Sequence, residues 1–305
     1  MNRKRKKKLK IKKKNFTIFL IIIIVITFLI TEFSIMVVNK LSTSETVEKT
    51  TKKKKKKEKS SELDQLDNIN ETINYFNNDY IKRYISYKNN NPSLETIQII
   101  KNVNMQLDKI QYEDIIPARN LNTPKVLVNK YYYLEEDYIP KDLETISSMY
   151  ALSGMRLVKE AKIAFESLSK AASKEDLKII AMSSYRSYEY QVDLYNRYAK
   201  QDGKEKADTY SGRPGHSEHQ TGLAVDVYNG KTDYTNFEKT KEFEWMNSHA
   251  HEYGFILRFP KEKESETGYE YESWHYRYVG EEIATYIKEN NISFEEYYAT
   301  IIKDW

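Results

Sequence analysis

Two short stretches constrain the fold of this chain more than any other feature. Ser217-Glu218-His219-Gln220-Thr221-Gly222-Leu223-Ala224-Val225-Asp226 sets a histidine and an aspartate seven residues apart, with a glycine between them. About fifty residues further on, Glu272-Ser273-Trp274-His275 adds a carboxylate and a second histidine. Two histidines and one aspartate make a three-ligand zinc site with a fourth position open to water. Glu272, three residues before the last ligand, is placed to act as general base. Any fold of the chain must bring these stretches to one point. A straight strand would send His219 and Asp226 to opposite faces, so a turn is needed, and Gly222 permits one.

The remainder of the chain divides by charge. Residues 1–62 hold 19 Lys and Arg against 5 Asp and Glu, whereas the rest holds 30 against 40. The basic balance therefore comes from the N-terminal region alone. The folded part is acidic, which argues against nucleic acid as a partner. There is no cysteine, so disulfides, thiolate metal sites and a cysteine nucleophile are excluded.

Ten Lys or Arg lie within residues 1–14, and residues 16–38 are almost wholly apolar apart from Glu32. As a helix that span reaches about 35 Å, enough to cross a hydrocarbon core of about 30 Å. The expectation is a cytoplasmic basic segment (1–15), a single transmembrane signal anchor (16–38) and an extracellular remainder on the cell-wall side. No Ala precedes Ala118, so no Ala-x-Ala cleavage site is present. Residues 39–62, with six consecutive lysines at Lys52–Lys57, read as a disordered lysine-rich linker.

Beyond the linker, residues 63–123 read as a helical N-terminal subdomain. Leu63, Leu66, Ile69, Ile73, Phe76, Tyr80 and Tyr84 recur at helical spacing. Ser93 is the expected cap of a second helix burying Ile97, Ile100, Val103 and Leu107. Residues 124–305 read as the catalytic domain. Expected strands are Val126–Val128, Lys178–Ser183, Leu223–Val227, Phe255–Phe259 and Trp274–Val279. Expected helices carry Leu157, Ala161, Ala164 and Leu168, then Gln191, Leu194 and Tyr195, then Phe243–Tyr253 stopped by Gly254. Two helices close the chain, the last with a Ser293…Glu296 capping box. The fold class is α+β, a small, mainly antiparallel sheet with packed helices.

The stretches Arg213–Asp226 and Glu272–Gly280 resemble the two signatures of VanY-type D-alanyl-D-alanine carboxypeptidases, a grouping related to lysostaphin-type peptidases and the hedgehog domain. The resemblance runs from about Val126 to Gly280 and takes in Ser183–Ser187 and Tyr253–Arg258. It implies one Zn2+ held by His219, Asp226 and His275, with Glu272 as base in the attack of zinc-bound water on a peptide carbonyl. It also implies that Arg186 grips the free terminal carboxylate, with Gln191 and Ser217 helping to hold the last residue. The implied partners are peptidoglycan stem peptides ending in D-alanine, acted on by a monomer. An L,D-carboxypeptidase acting on tetrapeptide stems and a non-catalytic zinc-containing wall-binding module are the alternatives. His216 is expected to line the pocket, His249 and His251 to lie on the surface or in packing, Arg258 to make a structural ion pair and Glu218 to sit beside the ligands. Two residues depart from the family pattern: Ser273 stands where Pro is common, and Phe259 where Tyr is common.

Overall fold

The computed structural model describes residues 26–40 and 73–304. The chain separates into two units, Met1–Thr72 and Ile73–Trp305. In the first, residues 26–40 are helical. No helix among the described residues is long and apolar enough to cross a membrane. The expected span 16–38 begins in residues outside that set; residues 39 and 40 of the expected linker are helical, and its remainder and the segment 63–72 fall outside it.

The second unit is built on a four-stranded sheet. Its strands are β5 (Ile180–Ser183), β6 (Ala224–Tyr228), β7 (Phe255–Leu257) and β8 (His275–Tyr278). They run in the order β5-β6-β8-β7, with every neighbouring pair antiparallel. Two small pairs precede it: β1 (Ile116–Pro117) parallel to β2 (Tyr132–Tyr133), and β3 (Leu143–Thr145) antiparallel to β4 (Arg156–Val158).

Strand alternation divides the sheet into two faces. Val225, Val227, Phe255, Tyr276 and Tyr278 face a core completed by Trp245, Met246 and helix Lys159–Ser173. That helix supplies Ala161, Phe165, Leu168 and Ala172, a spacing of three and four that lays one apolar stripe on the sheet. On the other face, Ile256 joins a second cluster with Tyr132, Ile283, Ile287, Phe294 and Tyr298. Each large side chain fully buried in this way contributes about 1.5–3 kcal/mol. Asp226 and His275 share this second face, and so does Arg277.

Several elements differ from expectation, each for a physical reason. Val126–Val128 is buried but joins no ladder. The carbonyls of Pro124 and Val126 accept instead from the Arg277 guanidinium, which satisfies the buried backbone in place of a partner strand. Leu157 is buried in β4, before the helix that it was expected to open. The second N-terminal helix is Thr96–Asn104, entered from Glu95 without a side-chain cap from Ser93. Its buried apolar residues are Ile99, Ile100 and Val103, and Ile97 is exposed. Leu107 lies beyond the helix end and packs partly buried on the second cluster.

Other readings match closely. The helix after β5 is Tyr188–Asp202, and Ser187 caps it by accepting from the Tyr190 N–H. Lys241–His249 continues as a 3-10 turn to Tyr253 and stops at Gly254, whose φ of 78° is left-handed. The last two helices are Glu281–Asn290 and Phe294–Tyr297, the second capped by Ser293 accepting from the Glu296 N–H and prolonged by a π turn. Residues 81–104 belong to the same compact unit as the sheet. Lys101 reaches Glu296 at 2.6 Å from the N-terminal pair of helices.

Candidate metal centre and substrate cleft

Pairing places the site at the middle of the sheet. Asp226 lies on β6 directly opposite His275 on β8, with Ser183 of β5 opposite it on the other side. His219 arrives from outside the sheet, on a 3-10 turn, Glu218–Thr221. Gly222 ends that turn at φ 68°, and a Cβ there would come within 2.9 Å of Leu143 Cδ2. The glycine thus makes the reversal that brings residues seven apart to one point.

His219, Asp226 and His275 are all buried, and their ligand atoms lie within 4.8 Å of one another. His219 Nε2 is 3.3 Å from Asp226 Oδ2, and His275 Nδ1 is 2.9 Å from Asp226 Oδ1. The second nitrogen of His219 settles its tautomer. Nδ1 lies 2.7 Å from the Ser184 carbonyl, which can only accept, so Nδ1 carries the proton and Nε2 keeps a lone pair. Burial and the Arg186 charge push His219 down to about 4, so it is neutral near pH 7. Burial also disfavours charge on His275, but the nearby carboxylates of Asp226 and Glu218 outweigh it and raise that histidine to about 9. A metal ion there competes with a proton. Burial works against the Asp226 carboxylate, yet His219, His275 and Arg186 hold it well below the ordinary range. Two imidazole nitrogens and one carboxylate, converging within a buried space of this size, suit Zn2+.

Among the described residues this is the group with metal-ligand spacing, and it excludes His216, His249 and His251. His216 lines the cleft, with Nδ1 2.8 Å from the Asn129 carbonyl and Tyr112 edge-on at 5.0 Å. His249 pairs on the surface with Glu252 at 3.1 Å.

The ligands open onto a cleft of about 440 Å³. Glu272 lines it, with Oε2 3.8 Å from His275 Nδ1. Burial pushes its carboxyl up to about 8; the His275 and Arg186 charges pull it down and Asp226 pushes it further up. A carboxyl that titrates near neutrality can both take and return a proton.

Arg186 lies three residues beyond the end of β5 and enters the same cleft. Its Nη2 donates to Asp226 Oδ2 at 2.7 Å and to Ser183 Oγ at 2.8 Å. The ion pair expected of Arg258 is therefore made by Arg186 as well. Among the described residues Nη1 of Arg186 has no hydrogen bond. Gln191 is buried, its amide donating to the Gly212 carbonyl at 2.7 Å and its Oε1 left without a partner. Ser217 also lines the cleft, and among the described residues its hydroxyl has no bond. Phe259, at the position where Tyr is common, stacks on His275 at 4.9 Å and on Tyr269 at 4.8 Å.

Sequence reasoning assigned no role to Arg277 and did not see its partnership with Arg258. Both guanidiniums are fully buried, and both donate to Glu218 Oε1 at 2.9 Å. The signal was available: each arginine interrupts an otherwise apolar or aromatic strand, and a charge there requires a buried partner.

Comparison with known proteins agrees with this geometry. Residues 154–281 match the VanY family, described as D-alanyl-D-alanine carboxypeptidase. The YodJ protein of Bacillus subtilis (strain 168) is 36% identical over 222 residues, which cover 67% of this chain and 79% of YodJ. The solved structure of the LdcB LD-carboxypeptidase superposes with a TM-score of 0.57 at 36% identity, covering 63% of this chain and 92% of LdcB. That of the vancomycin-resistance D,D-pentapeptidase VanY, a variant in complex with Zn(II), gives a TM-score of 0.50 at 31% identity, covering 57% and 98%. The fold and the site define a metallocarboxypeptidase. The chain belongs to the VanY D-alanyl-D-alanine carboxypeptidase family.

Proposed function

We propose that this chain is a zinc-dependent carboxypeptidase that removes the C-terminal D-alanine from peptidoglycan stem peptides. The observation carrying the proposal is the joint placement, in one cleft, of the His219–Asp226–His275 set, the Glu272 carboxyl and the Arg186 guanidinium. The Zn(II) bound by the related VanY structure supports the choice of metal. His219 through Nε2, Asp226 through its carboxylate and His275 through Nδ1 would hold it. When bound, zinc supplies Lewis acidity, acidifying water and polarising a peptide carbonyl.

The chain's own groups do the rest. Glu272 takes a proton from the attacking water and delivers it to the amine that leaves. Arg186, with Nη1 uncommitted, pairs with the terminal carboxylate of the substrate; requiring that carboxylate makes the enzyme an exopeptidase. Gln191 Oε1 and the Ser217 hydroxyl hold the terminal residue, one by accepting and the other by donating or accepting. Removal of D-alanine from a pentapeptide ending in D-Ala-D-Ala is the first reading. Likeness to LdcB supports a second, L,D-cleavage of tetrapeptide stems.

Mass spectrometry of defined tetra- and pentapeptides, with and without a chelator, tests the proposal. Release of terminal D-alanine from one of them, abolished by the chelator, is expected. No release from either by the zinc-loaded protein would overturn it. Glu272→Ala separates an enzyme from a wall-binding module: it should end turnover and leave zinc content unchanged.

The apolar span 16–38 with its basic flank supports a further part of the proposal, that the chain is anchored in the cell membrane by a single pass with its catalytic unit on the wall side. Recovery of the full-length protein in the soluble fraction of lysed cells, and not with their membranes, would overturn this.

A further inference from the structure

A buried chain of charges runs from the C-terminal helix to the metal centre. Its far end is Glu295 on Phe294–Tyr297, which accepts twice from Arg258, at 2.8 and 2.6 Å. Arg258 donates its Nε to Glu218 Oε1 at 2.9 Å. Arg277 donates to the same oxygen, and is itself held by the carbonyls of Pro124, Val126 and Tyr278 at 2.7–3.0 Å. All four side chains are buried, and two arginines balance two glutamates.

One oxygen of this network is left over. Glu218 Oε2 is buried without a hydrogen bond, and so is His275 Nε2, 3.8 Å away. The opposite nitrogen of that ring, Nδ1, faces Asp226. Phe259 covers the ring and restricts its tilt. A histidine that ligates through Nδ1 needs its proton on Nε2 and an acceptor for it. Among the described residues Glu218 Oε2 is the acceptor that Nε2 faces.

We propose that Glu218 is a positioning residue that orients His275 for metal binding, and that the C-terminal helix, through Glu295 and Arg258, holds Glu218 in place. The inference rests on the zinc reading above. It extends that reading to residues on both sides of the matched family stretch: Glu295 follows residue 281, and two of the carbonyls holding Arg277, those of Pro124 and Val126, precede residue 154.

The test is zinc affinity of the full-length protein, measured by competition with a chromophoric chelator, for Glu218→Gln, Glu295→Gln and the double variant. Glu218→Gln should weaken zinc binding about 10–100-fold, the range for partners of ligating histidines, and lower kcat more than it changes KM. Glu295→Gln, which touches no ligand, should weaken it about 3–10-fold. The double variant should lose less than the product of the two, because both act through one chain. Binding within twofold of wild type in Glu218→Gln overturns the proposal, as does independent multiplication of the two effects. Should Glu218→Gln give no cooperative melt, Glu295→Gln decides alone: threefold weakening supports the chain and unchanged affinity overturns it. A wild-type protein that binds no zinc would instead end the underlying metal reading.

Discussion

At the scale of single residues, function depends on what each charge is given to face. Arg186 is shared between Asp226 and the open cleft, so it can grip a carboxylate without releasing Asp226. A lysine there keeps the charge but loses the planar fork. Arg186→Lys should raise KM for free-acid peptides about 10–100-fold, the cost of a charged hydrogen bond, while C-terminally amidated peptides, which lack the carboxylate, are poor substrates for wild type and variant alike. Steady-state kinetics on the paired substrates checks this. Lys130 shows the opposite situation. It is 3% exposed, with Tyr269 and Tyr112 around its ammonium at 4.7 and 5.7 Å. Burial lowers it to about 8, against the pull of Asp208 and with the push of Arg213. The folded state therefore binds fewer protons than the unfolded state between about pH 8 and 10.5, and this group makes stability rise with pH across that window. Lys130→Met should remove that slope and stabilise the protein at pH 7 by on the order of 2 kcal/mol, after allowance for solvent near the ammonium. Denaturant melts at pH 7 and 10 measure both effects. The ligands and the base were legible in the sequence because their chemistry restricts residue types and spacing. Lys130 was not, since nothing local distinguishes a buried lysine from an exposed one.

Elements were legible where local pattern decides them. Tyr188–Asp202 announces itself through its Ser187 cap and its buried Gln191, Leu194 and Tyr195. Val126–Val128 looked like a strand because it is a short, continuous apolar run. The carbonyls of Val126 and of Pro124 just before it go to Arg277, more than a hundred residues away, and no local signal carries that. Likewise Ile97 read as buried because spacing marks a face without saying which neighbours cover it. The turn at Gly222 was legible, because two ligands on one metal force it. Gly222→Ala should cost about 1–2 kcal/mol for a left-handed alanine, with Leu143 and Val158 displaced by the new Cβ. The same change should weaken zinc binding, because the turn carries His219. A lowered melting midpoint with unchanged zinc affinity would show that the turn adapts without moving the ligand.

For the molecule as a whole, the metal and the fold are tied by mass action. The three ligands come from two strands and a turn, so the unfolded chain cannot present them together, and zinc binds the folded state alone. At a zinc concentration 100 times its Kd this adds about 2.7 kcal/mol. A chelator should therefore lower the melting temperature as well as stop hydrolysis. The cleft also shows what the enzyme does not use. Its serines are engaged elsewhere or free: Ser183 accepts from Arg186, and Ser211 lies 3.4 Å from the Gln191 amide. Among the described residues no serine hydroxyl in the cleft is bonded to a histidine or lysine that could activate it, so none has the partner a nucleophilic serine needs. β-Lactams act by acylating such a serine. The expected outcome is full activity after incubation with penicillin, no covalent adduct in the intact-mass spectrum, and complete loss of activity with chelator that returns on adding zinc. A β-lactam adduct on any cleft serine, accompanied by inhibition, would place the chemistry on a nucleophile and leave the His219–Asp226–His275 centre a structural role.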